Sequence, residues 1–509
     1  MSKSETRNGE NKSTVRIDSE LEWNSINWKQ IEITVARLQA RIVKAQREGK
    51  YSKVKSLSRI LTRSFAAKAL AVKKVSSNTG SKTPGIDGII WNTAESKAQA
   101  VQNLTQNQYR AKPLKRKYIQ KQNSDKMRPL GIPTMADRAM QALYQTALSP
   151  IAETIADDNS YGFRPKRCCQ DAIDQIAGLM SRQTRPHWIL EGDIKGCFDN
   201  ISHEWIIANV PVEKKILRQW LKCGYIDKKR LFPTTAGTPQ GGIISPTIAN
   251  IVLDGIETML NQRYKKRTKA KGKDIWKSPS KEENHHVNFI RYADDFIVTA
   301  DSKELIENEI KPLIRGFLED RGLQLSENKT LTTHIEEGFD FLGFNIRTYK
   351  GKLVIKPAKE RVKRFKQKIS EIISAYYGTN AEKLIDKLNP ILIGWANYYR
   401  YVSSSKTFKQ ISDWLWSKLW HWANRRHPKK NKKWVKEKYF TKIEGRDWIF
   451  YVKTETGTNK TLFEIASVKI LRHLKIRKNA NPFAKEDSAY FTERSKNGTI
   501  ARKSKQPEI

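Results

Sequence analysis

The chain has little cysteine: four residues in 509, at positions 168, 169, 197 and 223. Cys168 and Cys169 are adjacent and so poor disulfide partners, and no pair has metal-type spacing. A disulfide scaffold and a cysteine-based metal site are thereby excluded, and a reduced, cytoplasmic setting is expected. No run of about 18 apolar residues occurs, so no membrane span is expected. Met1 to Glu20 is polar and mixed in charge, unlike a secretory leader. Acidic residues are scarce, 53 Asp+Glu against 95 Lys+Arg, which leaves a net charge of +42. A field of that sign and size draws polyanions, and neutralising phosphates releases their counterions, so tight and salt-sensitive nucleic-acid binding is expected.

Hydrophobic residues make up 38% of the chain, enough for packed cores, and the length suits about three domains. Residues 1–22 lack periodicity and read as a flexible tail. Ile31, Val35, Leu38 and Ile42 form one helical stripe; Val54, Leu57, Leu61 and Phe65 form a second after a break at Gly49. Asn78-Thr79-Gly80 and Thr83-Pro84-Gly85-Ile86-Asp87-Gly88 are turn-rich. From about 105 to 346 short strands alternate with helices, an α/β pattern. Beyond Lys356, Val362, Phe365, Ile369, Ile372 and Tyr376 make a helical stripe, and Phe408, Ile411, Leu415, Leu419 and Trp422 another. Between them Leu384 to Tyr401 also reads as helix, with Pro390 as a kink or start. Residues 351–440 hold 22 Lys+Arg against 6 Asp+Glu, a small, basic, helical domain. Residues 441–509 are mixed and basic, and are expected to fray after about 492.

The segment Phe289-Ile290-Arg291-Tyr292-Ala293-Asp294-Asp295-Phe296-Ile297-Val298 carries the chemistry. Two adjacent carboxylates between two apolar, β-prone runs repel one another unless a cation justifies them. Mg²⁺ fits, as a hard ion held by carboxylates and substrate phosphates. A solvated Asp-Asp turn is the plain alternative; the flanking aromatic-Ala-Asp-Asp box between apolar strands favours catalysis. A second acidic strand end lies upstream, in His187-Trp188-Ile189-Leu190-Glu191-Gly192-Asp193. Asp199 competes with Asp193, although its place before Asn200-Ile201-Ser202 suits a turn or a helix cap.

The box at 292–295 is the signature of reverse transcriptases, and the chain closely resembles the group II intron-encoded reverse transcriptase/maturase family from about 75 to 425. Thr83 to Gly88 resembles the family's extra N-terminal block. Arg128-Pro129-Leu130-Gly131-Ile132-Pro133-Thr134, with Asp137-Arg138 and Gln141, resembles its fingers block. Ser160-Tyr161-Gly162-Phe163-Arg164-Pro165, the Asp193 strand and Thr238-Pro239-Gln240-Gly241-Gly242-Ile243-Ile244-Ser245-Pro246 follow in order. Leu325-Ser326-Glu327-Asn328-Lys329-Thr330 and Phe339-Leu342-Gly343-Phe344 resemble the last palm blocks, and Gly394-Trp395-Ala396-Asn397-Tyr398-Tyr399-Arg400 resembles the most recognisable thumb segment.

The resemblance implies an α/β right-hand polymerase fold with fingers and palm, an all-α thumb (domain X) and a small basic C-terminal DNA-binding region. The implied divisions are a helical N-terminal extension with the start of the fingers at 23–112, fingers and palm at 113–346, thumb at 357–440 and DNA-binding region at 441–509. It implies an RNA-directed DNA polymerase using two Mg²⁺ ions, with Asp193 and Asp294 as bridging ligands, Asp295 in support and the Ile194 carbonyl completing one site. Lys121 and Arg128 would meet the dNTP triphosphate, although Gln120 stands where proline is commoner in the family. Gln240 would sit beneath the nucleotide, and Phe198, or else a plain core Phe, would bar a ribose 2′-hydroxyl.

Implied partners are the intron RNA, bound as a maturase to promote splicing, and a target DNA entered by retrohoming. Arg400, Arg425, Arg426, Lys429, Lys430, Lys432 and Lys433 are the candidate phosphate-tracking residues. Trp395, Trp414, Trp416, Trp420 and Trp422 are expected mostly in the core. Many relatives end in an HNH nuclease with paired cysteines; here the last cysteine is Cys223, so no second-strand cleavage is expected of this chain. A splicing factor with a decayed polymerase, or a reverse transcriptase of another class, are the rival readings. The three intact aspartates oppose the first, and the block at 83–88 opposes the second. Monomer and dimer both remain open.

Overall fold

The apolar stripe of Ile31, Val35 and Ile42 is buried on a helix spanning Trp28–Arg47, which begins where the Asn27 side chain accepts a hydrogen bond from the Gln30 N–H. Gly49, at φ 68°, turns the chain, and Val54, Leu57 and Leu61 form the buried stripe of the next helix, Tyr51–Arg63. Phe65 does not continue that stripe: it begins a third helix, Phe65–Ser77, and is 37% exposed. The reason is Ser64, whose extended backbone (ψ 140°) closes one helix while its Oγ accepts from the Ala67 N–H to open the other.

The computed structural model describes residues 22–120, 127–181, 186–270, 273–277, 286–443, 445–455 and 457–503. Lys121 and all but the last residue of the expected tail lie outside them. The chain divides into two units, Met1–Thr154 with Ile206–Ile248, and Ile155–Trp205 with Ala249–Ile509. The division expected between 112 and 113 is therefore interior to the first unit.

In that unit the strand Leu114–Gln120 pairs antiparallel with Met127–Ile132 and parallel with Tyr225–Asp227, which in turn pairs with Arg230–Phe232. The motif residues that follow are scaffold. Asp137, 3% exposed, accepts from the Tyr109 hydroxyl (2.6 Å) and the Thr134 hydroxyl (2.6 Å). Arg138 donates to the carbonyls of Pro133, Gly80 and Thr83, which fixes the turn-rich block at 80–88. Gly85 is pressed there against Thr134, whose Cα lies 2.6 Å from where a Cβ would stand. The Gln141 Oε1 accepts from the Ile243 N–H (2.8 Å), which fixes the Thr238–Pro246 block in the same unit.

The second unit is built on four antiparallel strands in the order β4-β1-β3-β2, where β1 is Trp188–Gly192, β2 Asn288–Tyr292, β3 Asp295–Ala300 and β4 Leu331–His334. Phe296 to Ala300 is buried without alternation, the mark of a central strand covered on both faces. Helices of this unit include α1 (Cys169–Met180), α2 (Ser245–Leu253, its second half in this unit), α3 (Lys359–Ala375), α4 (Ala381–Tyr399), α5 (Ser405–Arg426) and α6 (Lys432–Tyr439). Pro390 neither starts nor ends α4 but lies inside it. Trp422 is buried, Trp395, Trp414 and Trp420 pack on the core, and Trp416 is 39% exposed.

No core boundary falls at residue 440. One apolar core runs from Tyr161 and Ile173 through Phe365, Leu384 and Ile411 to Phe440, Phe450, Ile465 and Phe491. The residues after α6 form a three-stranded sheet, β5 (Phe440–Ile443), β6 (Arg446–Lys453) and β7 (Asn459–Thr461), and then return to α1. The buried Asp171 of α1 receives the chain there: its Oδ1 accepts from His473 Nε2 (2.9 Å), the Ile476 N–H (2.8 Å) and Arg494 Nη2 (2.7 Å). Lys475 and Arg494 add bonds to Gln175 and to the Lys166 carbonyl. Of the stretch expected to fray after about 492, the described residues 493–503 belong to a helix, α7, Ser488–Lys503.

Burial opposes the Asp171 charge, but His473, Arg494 and the Ile476 N–H outweigh it and hold the carboxyl below the usual aspartate range. Its contribution is then fully present above the unfolded value and is lost as pH falls below about 4. Asp171→Asn leaves the partly buried Arg494 guanidinium without its anion, at a cost of about 2–3 kcal/mol. Amide exchange over 473–494 is expected to quicken about a hundredfold in this variant, as read by hydrogen–deuterium exchange; unchanged exchange rates would refute the anchor.

Candidate active site

Two features of β1 and β3 decide where the acidic residues meet. Gly192, the last residue of β1, pairs with Phe296, so Asp193 falls level with Asp295, the first residue of β3. Tyr292 of β2 pairs with Asp295, which leaves Ala293 and Asp294 as a two-residue turn at the same end of the sheet. Only glycine fits at 192, because a Cβ there would stand 2.1 Å from the Phe296 ring. Ala293 takes φ 60°, the positive value that such a turn requires at its first position. Asp193, Asp294 and Asp295 thus come from strands about a hundred residues apart in sequence to one sheet end.

The stretch after Asp193 is stitched to the Leu325–Thr330 block. The Ser326 N–H donates to the Asp193 carbonyl (2.8 Å), Ile194 bridges Leu325, and the Lys195 N–H donates to the Gln324 carbonyl (2.9 Å). This brings Lys329 Nζ to 3.0 Å from Asp193 Oδ2. Burial, and after it the Asp294 and Asp193 carboxylates, push the Asp295 carboxyl up to about 6, with Lys329 and Arg361 pulling the other way. Burial and then Asp294 push the nearby Cys197 thiol up to about 12, so no reactive thiolate competes there. Sequence reasoning singled out the block at 325–330 but not Lys329; a lysine on a loop of so basic a chain carries no signal of its own.

These residues fit a divalent metal. The donors are hard carboxylate oxygens, and the repulsion visible at Asp295 is what a cation relieves. Asp193 and Asp294 would hold it, with Asp295 in support. Another trio, Cys168, Asp171 and His473, has donor atoms within 4.8 Å of one another. There the Arg494 guanidinium already meets Asp171, so this trio is the C-terminal anchor.

The other expected residues are placed as follows. Phe198, half-buried in the turn of helix Cys197–Asn200, rests edge-on to Phe163 (6.2 Å between ring centres). In the first unit, Arg128 is exposed on the strand Met127–Ile132. The Gln240 carbonyl accepts from the Gly131 N–H of that strand (2.8 Å), and Gly241, at φ 109°, passes so close that a Cβ would stand 2.9 Å from the Gly131 oxygen. Arg400 is corrected: it is 3% exposed, and its guanidinium donates to Asn397 Oδ1 and the Lys469 carbonyl, so no phosphate reaches it. Arg426 is half-buried and donates to the carbonyls of Tyr377 and Thr379, a structural tie. Arg425, Lys429, Lys430, Lys432 and Lys433 are exposed.

Comparison with known proteins bears on most of residues 23–440. The family described as reverse transcriptase (RNA-dependent DNA polymerase) matches residues 119–346, the N-terminal domain of reverse transcriptase matches 23–104, and the group II intron maturase-specific domain matches 362–440. Protein YkfC of Escherichia coli (strain K12) is 31% identical over 306 residues, covering 55% of this chain and 79% of that protein. The chain belongs to the group II intron-encoded reverse transcriptase/maturase family. Another member, the group II intron-encoded protein LtrA of Lactococcus lactis subsp. cremoris, is 33% identical over 331 residues, covering 55% of this chain and 54% of LtrA. The chain thus spans about half the length of LtrA. A solved telomerase from Candida albicans in complex with a telomeric RNA fragment aligns at TM-score 0.36 and 14% identity, covering 66% of this chain and 65% of that one, too distant to carry an argument.

Mn²⁺, a spectroscopic stand-in for Mg²⁺, separates the two acidic clusters. Asp294→Asn is expected to weaken Mn²⁺ binding about tenfold or more, measured by electron paramagnetic resonance, and Cys168→Ser to leave it unchanged. The reverse ranking would move the metal site to the C-terminal anchor.

Proposed function

We propose that this chain is an RNA-directed DNA polymerase that also binds its intron RNA as a maturase, promoting splicing and supporting entry into target DNA. The observation that carries this reading is the β1–β3 register, which sets Asp193 beside the Ala293–Asp294 turn. When bound, two Mg²⁺ ions supply Lewis-acid activation of a primer 3′-hydroxyl and charge neutralisation on the leaving pyrophosphate.

The chain's own groups do the rest. Asp193, Asp294 and the Ile194 carbonyl provide the ligands, and Asp295 shapes the field around them. Arg128, with Lys121, binds the triphosphate of the incoming dNTP. Gln240 and the glycine behind it form the floor beneath the nucleotide, with Gly241 allowing close backbone approach. Phe198, braced by Phe163, bars a ribose 2′-hydroxyl. The exposed residues Arg425, Lys429, Lys430, Lys432 and Lys433 track the phosphates of the intron RNA, and residues 441–509 meet target DNA. No helix among the described residues is long and apolar enough to cross a membrane.

Primer extension on an RNA template tests the polymerase. Asp294→Ala is expected to lower cDNA synthesis about a thousandfold or more, with intron RNA affinity within about twofold of the parent; joint loss of both would make the carboxylates structural. Phe198→Ala is expected to raise rNTP incorporation about tenfold or more, and unchanged sugar selectivity would remove the gate assignment.

A further inference from the structure

Arg291 lies on β2, three residues before Asp294, and has no exposed surface at all. A buried guanidinium is expensive, and an apolar side chain of similar size often leaves a protein as stable or more so. What surrounds it is a polar cluster confined to the second unit. Its Nη2 ion-pairs with Asp254 Oδ1, and its Nη1 donates both to Asn250 Oδ1 (2.9 Å) and to the carbonyl of Ala293 (3.1 Å). The Arg291 N–H donates to the Asn159 carbonyl (2.9 Å), and its carbonyl accepts from the Tyr161 N–H (2.9 Å), so the strand is held along its edge as well.

The bond to Ala293 links this cluster to the catalytic turn. Ala293 holds φ 60°, which costs an alanine about 1 kcal/mol and persists only where surroundings impose it. Two sets of contacts impose it. Gly162 presses on the turn from outside, where a Cβ would stand 2.2 Å from the Ala293 nitrogen, and Asn250 Nδ2 holds the Gly162 carbonyl (2.9 Å). From beneath, the Arg291 guanidinium holds the Ala293 carbonyl, and the same Asn250 holds the guanidinium. The orientation of the Ala293–Asp294 peptide, and with it the direction of the Asp294 carboxylate, is thereby tied to α2 and the chain just after it. The cluster is not tuned for stability alone: Arg291 Nε and Asp254 Oδ2 are buried without a hydrogen-bond partner among the described residues.

We propose that Arg291 is a positioning residue for the polymerase site: through the Ala293 carbonyl it fixes the turn that aims Asp294, with Asn250 and Asp254 fixing Arg291 in turn. The proposal rests on the assignment of Asp294 as a metal ligand, and its test separates the two. Arg291→Met and the double variant Arg291→Met/Asp254→Leu are compared with the parent; the double variant leaves no unpaired buried charge and is expected to fold. Three quantities are read: melting temperature, Mn²⁺ affinity by electron paramagnetic resonance without nucleic acid, and kcat against KM for dNTP in primer extension. In the double variant the proposal expects a melting temperature within a few degrees of the parent. It also expects Mn²⁺ affinity about tenfold weaker, kcat about a hundredfold lower, and KM for dNTP within about twofold. A double variant with the parent's Mn²⁺ affinity and kcat would make Arg291 purely structural and overturn the proposal. Loss of kcat only in proportion to loss of folded protein would overturn it as well. If the parent itself binds Mn²⁺ but extends no primer, the assignment of activity fails, while the Mn²⁺ comparison still decides the role of Arg291.

Discussion

The antiparallel pairing of β1 with β3 is the constraint on which the rest depends. Side chains alternate along a strand, so a slip of one residue would turn Asp193 to the opposite face of the sheet. The register is locked sterically: the Phe296 ring occupies the space that any side chain at 192 would need. Once it is locked, carboxylates from remote segments are forced to one sheet end, and the burial and mutual repulsion that push the Asp295 carboxyl up to about 6 follow from that placement. The site is therefore held in a state of electrostatic stress that backbone pairing sustains and a divalent cation relieves.

Much of what makes the family recognisable is scaffold. Asp137, Arg138 and Gln141 belong to a motif block, yet they anchor Tyr109, the segment at 80–83 and Ile243 respectively through partly buried hydrogen bonds. Gly162 and Gly241 serve by what they lack, since each passes where a Cβ would collide with neighbouring backbone. Buried polar ties of this kind give a unique arrangement more than they give stability. A fold that must hold scattered carboxylates in one place has use for that uniqueness.

Local features were legible in the sequence. The stripe at Ile31, Val35 and Ile42 and the hairpin around Ala293–Asp294 depend on neighbours a few residues away, and both form as their spacing requires. The Asp193 strand end was found because an apolar run stops there. The misreadings share a cause, which is that burial is decided by distant partners. Arg400 and the exposed Arg425 look alike in a basic chain, and it is the Lys469 carbonyl, 69 positions on, that receives the first in the interior. Arg291 gave no signal because Asp254 lies 37 positions earlier. The composition shift near residue 440 suggested a boundary, yet Phe450, Ile465 and Phe491 complete the core that Phe365 and Leu384 begin.

The knot at Asp171 also has a temporal meaning. Its partner Arg494 follows it by 323 positions, so a ribosome working at about 5–20 residues per second emits α1 some tens of seconds before the guanidinium that neutralises it. Throughout that interval a carboxylate destined for the interior has no counter-charge, and this face of the nascent chain must stay hydrated. Closure of this part of the second unit therefore waits on the segment that carries His473, Ile476 and Arg494.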